Sequence, residues 1–596
     1  MAHKFKAHSD WKSVKLFPLA AQFKNYGTDA LMCDIKAGFN VAVLSFPINM
    51  AYALIAGLPI SYGIFGGIIA SLIGLVFCRS IYVTLGPSNA SAVILLSSFA
   101  VAGMVDEAAR MAAVPSILAL TGLFLILASV FKLTFVISYI SRTVIISYVT
   151  VGALLIIANQ MRNLFGFSYP QDFAPTTLVQ TIGATIDCIG GLQPASLGMA
   201  AFTFAVFLPM KKFANRLPAE GITMILTAAA SYICTAHFGM EIDRLSPVYA
   251  DSWSASAPDF SAISVKQSAS LALAIAILCA IEGVSIGKSL AAMKADRFDT
   301  NQEIFALGIA NIGCAFGSGT LASGSMTRST LAFYSGAKST LFNLFTAIFT
   351  LVVLALFGGA IEYVPKATLA LIVVYTSFSL IKLKTIKTVL TSTFSDAMVF
   401  LVTFMVGVFS SLDNAIYAGI ALSILLFLKK ASAPEVVEYS IGDDGELEKI
   451  EAKTARSDPE ISIVHVEGNM FFGASDVLQN QFRRIAGEEN LKVLILKLRN
   501  AINFDATSVM DILELNRRMS QSDRRLILCE VRGDIMRILK SSGAFSEIGR
   551  ENIFENDESN PTLSAARAVR SAREGFGADA PKLSIYAAKK AEGGRE

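Results

Sequence analysis

Charge is scarce in this sequence: only 16% of residues are Asp, Glu, Lys or Arg against 54% hydrophobic, and the mean hydropathy is +0.56. Soluble domains carry about 25% charged residues, so most of this chain belongs in lipid. Histidine is rarer still, with four, and His3, His8, His237 and His465 are scattered. The seven cysteines, Cys33, Cys78, Cys188, Cys234, Cys279, Cys314 and Cys529, stand singly, mostly inside apolar runs. Without a CxxC or a Cys/His pair at ligand spacing, they make neither a metal site nor a disulfide scaffold, and they are expected to pack as small apolar residues. No nucleophile and base at usable spacing, Walker loop or metal cluster is present, which argues against an enzyme and calls for no cofactor. The net charge of +3, 50 basic minus 47 acidic side chains, removes whole-chain phosphate neutralisation and with it a nucleic-acid partner. The first thirty residues are polar and basic rather than a charged tip before an apolar stretch, so no cleavable signal is expected and the N-terminus should stay in the cytoplasm.

What is abundant is long apolar runs. Twelve stretches are expected to span: 37–57, 62–78, 115–131, 136–158, 195–210, 219–238, 267–290, 302–316, 340–358, 366–381, 396–411 and 414–428. Two further pieces, Ser88–Ala100 and Ser325–Tyr334, are too short to cross and follow the Gly/Pro/Ser-rich stretches TLGPSNAS and GSGTLASGS, as broken helices would. Fourteen elements divide into two sets of seven with the short piece third in each. This is the pattern of an inverted repeat whose site lies at the midplane. Lys and Arg crowd one set of loops, with only Arg110, Arg162, Arg244, Lys266 and Lys366 on the other, which puts both termini in the cytoplasm. Residues 1–430 hold 46 of the 97 charged side chains and residues 431–596 the other 51. The expected organisation is a cytoplasmic segment 1–33, a membrane domain 34–430, a charged connector 431–459, a small α/β domain 460–574 and a disordered tail 575–596.

An ionisable group inside a spanning segment is costly, so it marks a pathway or a site. Two stand out: Glu282 in ALAIAILCAIEGVSIGKSL and Arg328 in SGSMTRSTLAFY, which could face each other. The bland alternatives are a hydrogen-bonded packing carboxylate and a structural counter-ion. Against them, Ser323, Ser325, Thr327 and Ser329 surround Arg328 with hydroxyls that suit an anion. A half-helix starting within the membrane points unsatisfied N–H groups and about half a positive charge into the space before it. Two such ends, Gly86, Pro87, Ser88, Asn89 and Gly324, Ser325, Met326, Thr327, would make an anion cradle, with Pro87 suited to a helix's first turn. Small residues also line ordinary close helix contacts. Their recurrence at matching places in both halves favours the cradle.

On these stretches, with DIKAGFNVAVLSFPINMAYALIAGLP and IEGVSIGKSLAAMKADRFDTNQEIFALGIANIGCAFGSG, the sequence resembles the sulfate permease (SulP) family of anion transporters from about Asp34 to Val569. Its C-terminal part resembles a STAS module. The resemblance implies seven plus seven inverted segments, a core domain moving against a gate domain, a homodimer, and a substrate site on Tyr52, Ser88, Glu282, Met326, Thr327 and Arg328. Three departures bear on it. FPINMAY has Ile48 where family members usually carry Gln, so one polar ligand is missing, with Asn49 or Asn89 as replacements. Sodium-coupled relatives place a hydroxyl four residues after the acidic position, where this chain has Ile286, which favours proton over sodium coupling. NFDATSVMDIL has Ala506 at the usual phosphoserine place, leaving Asp505 as an N-cap and the module as a docking or dimer-stabilising unit, open to a cytoplasmic protein partner.

The expectation is therefore an integral protein of a plasma or bacterial inner membrane that carries a small inorganic anion by secondary active transport. The substrate-binding residues would be Tyr52, Gly86, Pro87, Ser88, Asn89, Ser325, Met326, Thr327 and Arg328, with Glu282 for coupling. Sulfate is the first choice, ahead of bicarbonate, chloride or a dicarboxylate. A nucleobase symporter of the same fold would want a second carboxylate where Arg328 stands. A signalling scaffold would need neither broken helices nor a buried Glu and Arg.

Overall fold

A bilayer core of about 30 Å takes ~20 helical residues, and among the described residues nine helices are long and apolar enough to cross it. The computed structural model describes residues 14–574 apart from 16, 105, 135–140, 170–174, 176, 214–217, 261–264, 432–434, 442–446, 450–459, 487–490, 558–559 and 561–562. The expected span 136–158 therefore begins outside the described residues, and residues 1–13 of the 1–33 segment, much of the connector and the whole 575–596 tail lie outside them.

The first half contains α1 (Thr28–Ala56), α2 (Ile60–Phe77), strand β1 (Leu85–Gly86), α3 (Asn89–Val101), α4 (Glu107–Val130), α5 (Arg142–Phe165), α6 (Leu178–Cys188), α7 (Pro194–Phe213) and α8 (Ala219–Phe238). The second contains α9 (Val265–Met293), α10 (Thr300–Phe316), β2 (Ser323–Gly324), α11 (Met326–Tyr334), α12 (Phe342–Phe357), α13 (Lys366–Leu380), α14 (Leu383–Ser392), α15 (Phe394–Phe409) and α16 (Leu412–Ala431). All fourteen expected segments are present, with α3 and α11 as the short ones. The largest displacement is at α1, which starts at Thr28 rather than residue 37 because the polar turn TDALMCDIK is already helical. Two short helices, α6 and α14, were not foreseen. Their half-polar sequences, LVQTIGATIDC and LKTIKTVLTS, give no long apolar run, and each falls between the fifth and sixth members of its set.

The packing follows the repeat. Helix α1 lies against α12, and its counterpart α9 lies against α4, the counterpart of α12. The tightest pair, α4 with α10, meets at Gly122 and Gly308. A Cβ on Gly308 would stand 2.9 Å from the Gly122 carbonyl oxygen, so only glycine lets these backbones approach. Helices α1–α4 and α9–α12 form one packed group, while α5 packs on α13 and α15, and α7 on α8 and α13, in a second.

The C-terminal unit is built on a sheet ordered β4-β3-β5-β6-β8-β9 from β3 (Glu435–Ile441), β4 (Leu447–Lys449), β5 (Ile461–Asn469), β6 (Val493–Lys497), β8 (Arg525–Val531) and β9 (Ile553–Glu555), with β7 (Ala501–Ile502) pairing β5 beyond it. The pairs from β5 to β9 are parallel, whereas β3 is antiparallel to β5. Two strands thus lie within 431–459, which the charge pattern had marked as connector. Their Glu-rich alternation, EVVEYSI and LEK, reads as solvated chain unless its sheet partner is known. Helices α17 (Ser475–Ala486), α18 (Ala506–Gln521), α19 (Gly533–Ser541) and α20 (Ala544–Ile548) cover one apolar face, and α21 (Leu563–Arg573) covers the other with Ala568, Val569 and Ala572.

Asp505 is the N-cap of α18, as expected: its Oδ1 accepts the Ser508 N–H at 2.9 Å and its Oδ2 the Phe472 N–H at 2.8 Å. Burial acts to raise the Asp505 carboxyl, but the hydrogen bonds from Ser508, Phe472 and Thr507 outweigh it and hold it below the usual carboxylate value. A depressed folded-state value gives stability that is present above the unfolded value and lost as pH falls through the folded one. Asp505→Ala should therefore destabilise the C-terminal unit by about 1 kcal/mol at neutral pH. The deficit relative to wild type should vanish in strong acid, as followed by denaturant unfolding over a pH series.

Candidate functional site

The two broken helices meet through their backbones. Strand β1 ends where α3 begins and β2 where α11 begins, and they pair antiparallel with Leu85 opposite Gly324 and Gly86 opposite Ser323. This pairing places the N-termini of α3 and α11 beside one another. The α3 end is closed by a reciprocal cap: Ser88 Oγ accepts the Ser91 N–H at 3.1 Å, and Ser91 Oγ accepts the Ser88 N–H at 3.0 Å. The α11 end has Ser325 at the cap position with no side-chain bond to the helix. Pro87 lies just before the Ser88 cap, outside the helix rather than in its first turn.

Glu282 and Arg328 reach this junction from different directions. Glu282, on α9 and partly exposed, accepts hydrogen bonds at Oε2 from Ser88 Oγ at 2.9 Å and Ser323 Oγ at 2.5 Å. One carboxylate oxygen thus bridges both stubs. Gly324 allows it, since a Cβ there would sit 2.8 Å from the Gly283 Cα. Arg328 is 2% exposed. Its Nη1 donates to Asn49 Oδ1 at 2.8 Å, while its Nε and Nη2 are buried without a partner. The guanidinium lies against Gly86, where a Cβ would come within 2.8 Å of Nη2 and φ is +148°. Glu282 and Arg328 share the junction, as expected, but are joined through serines and the stub backbones and not by an ion pair.

Of the other expected residues, Tyr52 is buried on α1 one turn beyond Asn49, and Ser88, Asn89 and Ser325 are buried at the junction, with Asn89 Oδ1 unpartnered. Met326 and Thr327 are exposed at the open end of α11. The hydroxyls flanking Arg328 do not all surround it: Ser323 serves Glu282, and Ser329 Oγ accepts the Thr84 N–H at 2.9 Å.

Several residues that hold the site in place escaped the sequence reading. Asn311 of α10 clamps the chain ahead of β2, donating to the Leu307 and Ala322 carbonyls and accepting the Ala322 N–H at 3.0 Å. Glu303 Oε1 accepts the N–H groups of Arg79 and Ser80, fixing the run from α2 to β1. Asp34 takes the N–H groups of Lys338 and Ser339 and the hydroxyls of Ser339 and Tyr26, tying α1 to the segment after α11. Carboxylates held by several hydrogen bonds within the membrane unit are therefore not limited to Glu282. Those at Asp34 and Glu303 sit near segment ends, where a sequence window cannot separate them from headgroup-level charges.

A polytopic membrane fold with an inverted repeat, with buried polar groups converging where two half-helices meet, defines a transport protein and not an enzyme. Residues 31–403 match the sulfate permease family and residues 452–560 the STAS domain, and the chain belongs to that family. It is 23% identical over 547 residues to the putative sulfate transporter YvdB of Bacillus subtilis, covering 90% of this chain and 99% of that one. To human solute carrier family 26 member 6 it is 25% identical over 433 residues, covering 69% of this chain and 56% of that protein. Among solved structures, murine Slc26a9, described as an anion transporter in the inward-facing state, superposes with a TM-score of 0.83 at 20% identity, covering 96% of both chains. The transmembrane domain of the cyanobacterial bicarbonate transporter BicA gives 0.57 at 18% identity, covering 67% of this chain and 98% of that one. At these identities the two structures establish the fold.

If the close seat of Arg328 on Gly86 matters, Gly86→Ala should displace the guanidinium without unfolding the helices. The expected result is about 5- to 30-fold weaker binding of the transported anion by titration calorimetry, from about 1–2 kcal/mol of backbone strain, with an unchanged far-ultraviolet spectrum. Wild-type affinity in that variant would dismiss the contact as incidental.

Proposed function

We propose that this chain is a secondary active transporter of a small oxyanion, sulfate first, which binds between the N-termini of α3 and α11. The observation that carries this is Arg328: a buried guanidinium with two unpaired nitrogens beside an uncapped helix end. Unsatisfied buried charge costs several kcal/mol, and an anion shared by the guanidinium and the N–H groups of α11 would satisfy both. The exposed Met326 and Thr327 mark the side from which it would arrive. A single cation with helix dipoles keeps binding modest, so that the ion can also leave.

Glu282 is the proposed proton carrier. Its Oε2 is held by Ser88 and Ser323, and the side chain keeps an exposed face through which a proton can come and go. Protonation would remove the charge that draws those hydroxyls, coupling the carboxyl to both stubs that form the anion seat. Ile286, one turn along, is packed among Tyr82, Leu290 and Ala291, an apolar setting that favours a proton over sodium. Movement of the α1–α4/α9–α12 group against the other helices, elevator-like, would carry the seat across, and both termini would lie in the cytoplasm. The homodimer and a protein partner for the STAS domain belong to the same proposal.

In proteoliposomes, Glu282→Gln should abolish acceleration of sulfate uptake by an inward proton gradient while anion counterflow persists. Unchanged acceleration would remove the coupling role. Arg328→Ala should weaken sulfate binding about 10- to 100-fold, the worth of hydrogen bonds to a charged group. Competition by bicarbonate, chloride and dicarboxylates against labelled sulfate identifies the preferred anion.

A further inference from the structure

The unforeseen helices α6 and α14 sit at opposite ends of one helix pair. Both pack on α5 and α15. Helix α14 ends at Ser392, just before α15 begins at Phe394, and the start of α15 is bound to the start of α5 through Thr143 Oγ1 and Asp396 Oδ1 at 3.1 Å. Helix α6 instead follows the far end of α5, which is 24 residues and hence about 36 Å long. One short helix therefore lies at each membrane face. Since α16 runs back from the end of α15, its C-terminal end lies on the same face as α14.

The two helices share an amphipathic form and differ in charge. Each exposes large apolar residues: Val179, Ile182 and Ile186 on α6, Leu383 (74%) and Leu390 (39%) on α14, with Phe394 (81%) just beyond. Leu383, Ile386 and Leu390 follow the i, i+3, i+7 spacing of one helical stripe, and no residue of α14 is buried by protein. The α6 helix has no Lys or Arg and exposes Asp187. By contrast, Lys382, Lys384 and Lys387 are all exposed along α14, and none is paired with a described carboxylate. Helix α14 cannot simply extend α13, because Ile381 and Lys382, with ψ of 89° and 82°, break the helix between them.

We propose that α14 is a docking strip for anionic lipid headgroups, with Lys382, Lys384 and Lys387 holding headgroup phosphates while Leu383 and Leu390 enter the acyl boundary. An amphipathic helix with cations beside its apolar stripe binds such an interface through both contributions at once. The charge contrast with α6 selects the leaflet at the α14 face. The strip belongs to the helix group that includes α5, α13 and α15, so lipid bound there would anchor that group in the bilayer. The proposal rests on the membrane placement of these helices and not on the anion chemistry at Arg328.

The test uses the purified full chain in neutral detergent, titrated with phosphatidylglycerol, phosphatidylcholine or free glycerol phosphate while the thermal unfolding midpoint is followed. Phosphatidylglycerol should raise the midpoint by several degrees, and the other two should not. The triple variant K382Q/K384Q/K387Q should need on the order of 100-fold more phosphatidylglycerol for half the shift, as each lysine near an anionic surface contributes about fivefold. Replacing the same three by arginine should restore it. Arg328→Ala should leave the lipid response intact, so a failed transport site and a failed lipid strip give different results. An equal shift with phosphatidylcholine, an equal shift with glycerol phosphate, or an undiminished response in the glutamine variant would each overturn the proposal.

Discussion

A helix that stops halfway through a bilayer leaves backbone donors and acceptors with no water to receive them, and each unpaired group there costs several kcal/mol. This chain contains two such helices, and their backbones answer one another. Leu85 and Gly86 pair with Gly324 and Ser323, so the carbonyl and amide groups ahead of α3 and α11 are joined in a short antiparallel ladder instead of facing lipid. Small residues follow from that constraint. The Gly324 backbone passes against Gly283, and Gly86 accepts the Arg328 guanidinium at its Cα. Asn311 and Glu303 then hold the incoming chain segments by their own backbone groups.

Three carboxylates of the membrane unit, Asp34, Glu303 and Glu282, differ in the donors that hold them. Asp34 is bound by two backbone N–H groups and two hydroxyls, and one oxygen of Glu303 takes two backbone N–H groups; both fasten loops. Glu282 accepts only hydroxyls, at one oxygen, and retains an exposed face. Hydroxyls can rotate and exchange donor for acceptor roles, whereas an amide N–H cannot. Of these three, Glu282 is the one held without backbone donors, and it lies next to the N-termini of α3 and α11.

The C-terminal unit is held by ordinary soluble-protein means: a mostly parallel sheet with helices on both faces, and caps such as Asp505. With Ala506 at the first helical position, the start of α18 has a carboxylate cap and no hydroxyl there. Its architecture rests on burial and capping.

The amino-acid sequence alone determined the spans, their division into two sets of seven, the short third member of each and the polar run preceding it. These are matters of segment length and composition, which a bilayer imposes locally. It also marked Glu282 and Arg328, because a charge far from any polar boundary is conspicuous. The tertiary structure decided which atoms meet: that Glu282 bridges Ser88 and Ser323, that Arg328 is anchored by Asn49 with two nitrogens left over, and that Met326 and Thr327 lie at the exposed end of α11. It alone revealed α6 and α14, whose half-polar sequences carry no apolar run, and strands β3 and β4, whose Glu-rich alternation acquires meaning only beside β5. Local composition reports how well a segment tolerates lipid or water, but a hydrogen bond between residues some two hundred positions apart depends on where the rest of the chain has carried them.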